Sequence, residues 1–86
     1  MSIEEVKTNL GLGSRALDEA RTTIQRAGME LADATALALS ALQGTSHPDA
    51  EKARAVLASA AKEVELTARR VNVAKEHAER YLKALG

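Results

Sequence analysis

The sequence predicts an all-α fold, an antiparallel hairpin of two long helices, and three observations carry this prediction. Helix-favouring Ala, Leu, Glu, Lys and Arg dominate the composition, and Gly and Pro are almost absent from the long stretches. Apolar residues recur every seven positions in both halves of the chain. The only strong break is a short segment around residues 43–49. With 86 residues the chain is long enough for one small domain, so we expect a single hairpin over 1–86.

The first helix is predicted over about 3–43. Ser2 followed by Glu5 fits a capping box, which marks a helix start. From Ile3 onward, large and small apolar residues alternate in two heptad series, as in a coiled-coil seam. The first series contains Ile3, Leu10, Leu17, Ile24, Leu31 and Ala38, and the second, three residues later, contains Val6, Gly13, Ala20, Ala27, Ala34 and Ala41. Small residues at one seam position let two helix backbones approach closely.

The segment NLGLGSRA, residues 9–16, has the G-x-G-x-x-A shape of a dinucleotide-binding loop. Such a loop follows a β-strand within a βαβ unit, whereas a capped helix precedes this one and no β-rich run exists. We therefore interpret the segment as part of the first helix. Because two glycines cost about 1 kcal/mol each relative to alanine, a kink is expected at 11–14, or a break that Ser14 restarts as a second N-cap.

The turn is predicted at 44–47 and the second helix at about 48–85. Gly44 suits the end of a helix, and Pro48 suits the first turn of the next, with Ser46 or His47 as its N-cap. A short loop makes the helices antiparallel. The heptad series of the second helix contains Ala50, Leu57, Val64, Val71, Ala78 and Leu85, and its companion series contains Ala53, Ala60, Thr67, Ala74 and Tyr81.

Two sets of apolar side chains are predicted to carry packing. The intrachain seam is assigned to Leu10, Leu17, Ile24, Leu31, Leu57, Val64 and Val71. Further apolar residues remain, because the segment 32–42 is apolar nearly all round and two more recur off the seam of the second helix. They predict an intermolecular interface at Leu37, Leu39, Leu42, Leu66 and Val73. Two hairpins are then expected to pair into a four-helix bundle, or one hairpin to dock on another helical protein.

Nothing in the sequence predicts catalysis. There are no cysteines, and the only histidines are His47 and His77. Neither histidine has an ordered set of partners, and the Glu-x-x-His spacing of di-iron bundles is absent because position 74 is Ala. We expect a non-enzymatic protein without a cofactor or a metal site.

Charge and hydropathy bear on partners and location. The formal net charge is zero, which disfavours nucleic-acid binding through phosphate neutralisation. A local basic set, Arg69, Arg70, Lys75 and Arg80, keeps nucleic-acid contact as a weaker alternative. No run of 18 apolar residues could span a membrane, and the first ten residues lack the order of a secretory signal. These features predict a cytoplasmic protein and leave export without a cleaved signal open.

The paired helices and mid-chain turn resemble the Trp-X-Gly helical hairpins of type VII secretion over the whole chain. Leu42-Gln43-Gly44 stands where that family has Trp-X-Gly. Tyr81 is followed four residues later by Leu85, where the family's export motif has an acidic residue. The resemblance implies a pairing module, as a homodimer or as half of a heterodimer with a secreted or toxin-like protein.

The predicted function is therefore protein–protein interaction through helix–helix assembly. A small regulatory adaptor or an antitoxin-like hairpin is the alternative, because it would use the same apolar surface. Residue patterns alone do not separate these two roles.

Overall fold

The first helix, α1, spans Ile3–Ala41 in a computed structural model that describes all 86 residues. Ser2 is its N-cap, and its hydroxyl accepts a hydrogen bond from the backbone N–H of Glu5 at 3.1 Å. The helix continues without interruption through Gly11 and Gly13, so the expected break at Ser14 does not occur. The helical hydrogen-bond ladder tolerates the two glycines, at a cost in propensity.

The second helix, α2, spans Pro48–Ala84. His47 is the N-cap, with its Nδ1 accepting from the backbone N–H of Asp49 at 3.1 Å. In the turn, Gly44 takes a φ of +80°, which an L side chain would adopt only under strain. The predicted all-α hairpin is confirmed, and α1 ends two residues earlier than its predicted boundary.

The antiparallel register is fixed by two side-chain pairs between the helices. Asp18 Oδ1 accepts from Lys75 Nζ at 2.6 Å, and Asn72 Oδ1 accepts from Arg21 Nη1 at 2.9 Å. In both pairs the two residue numbers add up to 93. Residues of α1 and α2 whose numbers add up to 93 therefore lie side by side, at the same height along the hairpin axis.

The seam contains the predicted series of large apolar residues but not the predicted companion series. In α1 the half-buried residues four positions after the first heptad series are Lys7, Ser14, Arg21, Gly28, Thr35 and Leu42. The predicted companions three positions later are mostly exposed, Gly13 and Ala27 among them. At 100° per residue a step of four turns the side chain only about 40° from the starting residue, whereas a step of three turns it about 60° the other way.

The second helix shows the same change of side beyond its first turns. Ala53 and Ala60 are half-buried, but Thr67, Ala74 and Tyr81 are exposed. Their place in the seam is taken by residues four positions after the series, Ala68, Lys75 and Leu82. A heptad repeat drifts by about 20° per repeat on a straight helix, so a long seam moves gradually around it.

These positions divide the hairpin into two faces. One face contains the residues that come one or four positions after a seam residue. The Asp18–Lys75 and Arg21–Asn72 pairs join the two helices on this face, which we call the polar face. The opposite sides, three positions after or one position before the seam residues, must share the other face, because the helices are antiparallel. We call it the apolar face, and it carries Gly13, Ala20, Ala27, Ala34 and Ala41 on α1 and Val56, Ala60, Thr67, Ala74 and Tyr81 on α2. The positions one before the seam also bring to its edge Asn9, Thr23, Glu30 and Leu37 on α1 and Glu63, Arg70 and His77 on α2.

The hairpin is a thin rod with little interior. Its extents are 62 × 17 × 16 Å, and its radius of gyration is 19.2 Å, against about 12 Å for a compact domain of this length. Ala50, beside the turn, is the only buried residue. Every other side chain keeps substantial contact with solvent, which leaves the seam half-open along its length.

Candidate interaction surfaces

The seven residues predicted for the intrachain seam are all half-buried. They lie along the line where α1 meets α2. The closest approach that the backbone records is at Gly28, where a Cβ atom would lie 3.3 Å from Cγ1 of Val64. The helices are therefore in close contact near the middle of the seam, where a glycine leaves room for a valine.

The five residues predicted for an intermolecular interface do not share one face. Leu37 precedes a seam residue and lies on the apolar face, whereas Leu39 follows one and lies on the polar face. Leu42 is half-buried within the seam itself. Leu66 is half-buried and Val73 is 45% exposed, and both lie two positions after seam residues, turned about 160° from them. A single partner surface would therefore contact only part of this set.

The polar face carries the main electrostatic contact between the helices. Lys75 Nζ lies 2.6 Å from Asp18 Oδ1 and 3.5 Å from Glu79 Oε1, with the lysine side chain only 22% exposed. The hydrogen bond from Lys75 lowers the pKa of Asp18 below its ordinary value of 3.8. The same hydrogen bond raises the pKa of Lys75 above its ordinary 10.5. Each partner thus favours the charged form of the other.

The ion pair predicts an acid-dependent contribution to stability. Because the pKa of Asp18 is lowered by folding, its contribution is present above 3.8 and is lost as the pH falls through the folded-state pKa. We expect the difference in thermal midpoint between the parent chain and Asp18→Asn to shrink on acidification. Circular dichroism melts from about pH 6 to pH 2 measure it. A difference that stays constant over this range would contradict the assignment.

Arg54 secures the turn from the side of α2. Its Nη1 donates to the carbonyl oxygen of Leu42 at 3.1 Å, and its Nη2 donates to that of Thr45 at 3.3 Å. The last turn of α1 holds no basic residue of its own. Arg54 therefore supplies the positive charge that the carbonyl end of a helix favours.

An open groove of about 490 Å³ lies near the end of the hairpin opposite the turn. Gly13 contributes to its wall, and a Cβ built on Gly13 would meet no atom within 4 Å. The groove is mainly apolar, with Val6, Leu10, Leu17 and Ala78 in its wall beside Asn9 and Ser14. Val6, Asn9 and Gly13 of its wall belong to the apolar face, so the groove adjoins that face at the open end of the hairpin.

Near the turn end, the same face carries a protrusion. Leu37 is 76% exposed and Val56 is 67% exposed, more than any other large apolar side chain within the helices. Their numbers add up to 93, so they lie at the same height on neighbouring helices. Each precedes a seam residue, and both therefore stand on the apolar face. We call this pair the ridge.

Sequence reasoning missed the polar members of the seam. Arg21, Thr35 and Lys75 are half-buried there, although a search for apolar periodicity passes over them. Arg21 Nε and Thr35 Oγ1 are buried without a hydrogen-bond partner. The four-residue spacing from the large apolar series is the signal that would have found them.

The predicted basic set is divided by the structure. Lys75 is engaged with Asp18 and Glu79, and Arg69 donates to Glu65 Oε1 at 3.1 Å. Arg70 and Arg80 are about 80° apart around α2 and about 15 Å apart along it. The four cations therefore do not form one continuous positive surface.

The two histidines stand far from one another. His47 caps α2, and His77 is exposed in its last third. No group of three or more His, Asp or Glu side chains comes together in an arrangement that could hold a metal ion. Neither helix is long and apolar enough to cross a membrane.

Comparison with family models, curated proteins and solved structures found no match to this chain. The surfaces of the hairpin are therefore interpreted from their own geometry and chemistry.

Proposed function

We propose that the protein is a non-enzymatic interaction module that acts through helix–helix assembly. The observation that carries the proposal is the near absence of buried residues, since Ala50 alone is buried in a chain of 86 residues. A two-helix hairpin with so small an interior gains little to offset the entropy of ordering its backbone. Covering the exposed apolar side chains with further helices would supply the missing burial.

The surface area supports the same proposal. The accessible surface is 6332 Å², whereas a compact monomer of 9.1 kDa exposes about 4,900 Å². The excess of about 1,400 Å² exceeds the roughly 800 Å² that each partner contributes to a standard stable interface. The exposed surface is therefore large enough for at least one stable interface of standard size.

A second copy of the chain is the partner we favour. Two hairpins side by side would form a four-helix bundle, the common way in which long amphipathic helices complete a core. The pairing implied by the resemblance to Trp-X-Gly hairpins is of the same kind, with a homodimer or a different helical partner as its two forms.

The proposal predicts a dimer of high helicity. Light scattering over a hundredfold range of protein concentration, with circular dichroism on the same samples, measures mass and helix content together. We expect twice the mass of 9.1 kDa at the upper concentrations, and helix content that falls as dilution releases monomers. A loosely helical monomer at all concentrations would overturn self-assembly and would indicate a different helical partner. A fully helical, stable monomer would overturn the need for any partner.

A further inference from the structure

We propose that two copies of the chain pair through their apolar faces in an antiparallel manner, with Leu37 of each ridge seated over the groove of the other copy and Val56 beside it against Tyr81 of that copy. The inference rests on the proposed function and adds the surface and the orientation of the pairing. The orientation is inferred from the positions of the ridge and the groove along the hairpin.

Ridge and groove are placed symmetrically about the middle of the hairpin. The ridge lies at the height of residue 37 of α1, and Gly13 lies in the groove, whose lining on the side of α1 runs from Met1 to Leu17. These 24 positions correspond to about 36 Å along the helix. Their midpoint is near residue 25, close to the middle of α1, which spans Ile3–Ala41. A two-fold axis that crosses the hairpin there exchanges ridge and groove and keeps the two rods overlapped along their lengths.

The same axis brings complementary surfaces together in pairs. It lays α1 over α1 and α2 over α2 of the second copy, because a two-fold contact uses the same patch on both subunits. Leu37 then stands over Gly13 of the second copy, where the backbone leaves open space. Val56 stands over Tyr81 of the second copy, and both of these side chains are more than half exposed in the single hairpin.

Charges at the edge of the apolar face favour this orientation over a parallel one. Glu30, Glu63 and Arg70 each precede a seam residue and border the face. In the antiparallel pair, Glu63 comes within a helical turn of the height of Arg70 on the second copy. In a parallel pair, α1 would lie over α2, and Glu63 would face Glu30 at the same height. Like charges facing each other across an interface are unfavourable.

The occupant of the face is a second copy because the surface is complementary to itself. A depression and a protrusion of similar chemistry lie at equal distances from the middle of one face, and a two-fold axis satisfies both at once. The net charge of zero adds no repulsion between copies. The central residues between ridge and groove are Ala20, Ala27 and Ala34, whose small side chains allow close packing of helices.

Cysteine cross-linking tests the orientation directly, because the chain contains no cysteine of its own. The variant Val56→Cys/Tyr81→Cys places two thiols 25 positions apart on α2, about 37 Å within one chain. A disulfide needs Cα atoms less than about 7 Å apart, so the two thiols can join only between copies. We expect mild oxidation to convert most of the chain into a covalent dimer that reductant reverses.

The matched control is Ala58→Cys/Lys83→Cys, with the same spacing on the polar side of α2. We expect it to remain non-covalent under the same oxidation. Light scattering on the reduced samples shows whether the chain dimerises, independently of the orientation that cross-linking tests. A dimer that fails to cross-link through 56 and 81, or that cross-links equally through 58 and 83, would overturn the orientation while leaving the proposed function standing. A monomer would overturn self-assembly together with the orientation, and only a fully helical, stable monomer would also overturn the proposed function.

A charge on the ridge provides the second measurement. Val56→Glu is expected to raise the dissociation constant of the dimer by about 100-fold, because the carboxylate would be desolvated against Tyr81 of the second copy. Met29→Glu is the control, since Met29 is 65% exposed, close to the 67% of Val56, but lies on the polar side of α1. Equal dimer affinities for the two variants would contradict the proposal, and helix content shows that both remain folded.

Discussion

Ile24→Glu is expected to lower the free energy of unfolding by about 2–4 kcal/mol, the largest effect of any substitution considered for this chain. Ile24 is half-buried in the middle of the seam. The substitution removes apolar burial and places a carboxylate where α2 restricts its hydration. A hairpin with Ala50 as its only buried residue has little stability in reserve, so most of the helix content should be lost at room temperature. Circular dichroism and urea unfolding at one fixed protein concentration measure the change.

Leu12→Glu is the matched control on the same helix. Leu12 is exposed and lies on the side of α1 that faces away from α2. A surface substitution of this kind usually changes the free energy of unfolding by less than about 0.5 kcal/mol. If both variants unfold alike, the seam is not where the structure places it.

Gly28→Leu is expected to destabilise the hairpin by about 1–2 kcal/mol despite the better helix propensity of leucine. A Cβ at Gly28 already lies 3.3 Å from Cγ1 of Val64, and leucine adds three more carbons beyond it. The helices must therefore separate locally, or Val64 must leave its position. Urea unfolding reports the loss, again at fixed protein concentration because self-association contributes to apparent stability.

Gly11→Leu makes the same chemical change on the same helix without the clash. A Cβ at Gly11 meets nothing within 4 Å, so the helix gains propensity worth about 0.8 kcal/mol at no steric cost. We expect this variant to be more stable than the parent chain. The difference between the two variants then isolates the steric contribution at Gly28. Equal stabilisation by both would show that the helices are not in close contact at that position.

The hairpin itself could be predicted because several local signals agree on it. Ser2 and Glu5 at one end, Gly44 and Pro48 at the turn, and a heptad series in each half all indicate two helices. The large apolar residues of each series identify the stripe on which the helices meet. These signals are local in the sequence, and a two-helix hairpin leaves few alternatives for combining them.

The second position of the seam could not be predicted from apolar pattern. Small apolar residues three positions after each large one look like the natural companions, whereas the structure uses Arg21, Thr35 and Lys75 on the other side. A half-open seam tolerates such residues, because their polar ends reach solvent while their stems cover the neighbouring helix. The displaced small residues, Gly13 and Ala27 among them, then become the apolar face on which the dimer proposal rests.

The contacts at the turn close much shorter loops than the contact at the opposite end of the hairpin. Contacts of Arg54 close a loop of only 9–12 residues, whereas Lys7 Nζ and the carbonyl oxygen of Gly86, 2.8 Å apart, are separated by 79. Direct closure of the longer loop costs about 1.7 kcal/mol more in chain entropy. The contacts between the helices are therefore expected to form first near the turn and last at the open end. Amide hydrogen exchange should be fastest at the open end.

The groove lies at that open end and the ridge lies near the turn. In an antiparallel pair, the first-formed end of each chain would rest on the last-formed end of the other. Each copy would then stabilise the end of its partner at which the two helices separate most readily.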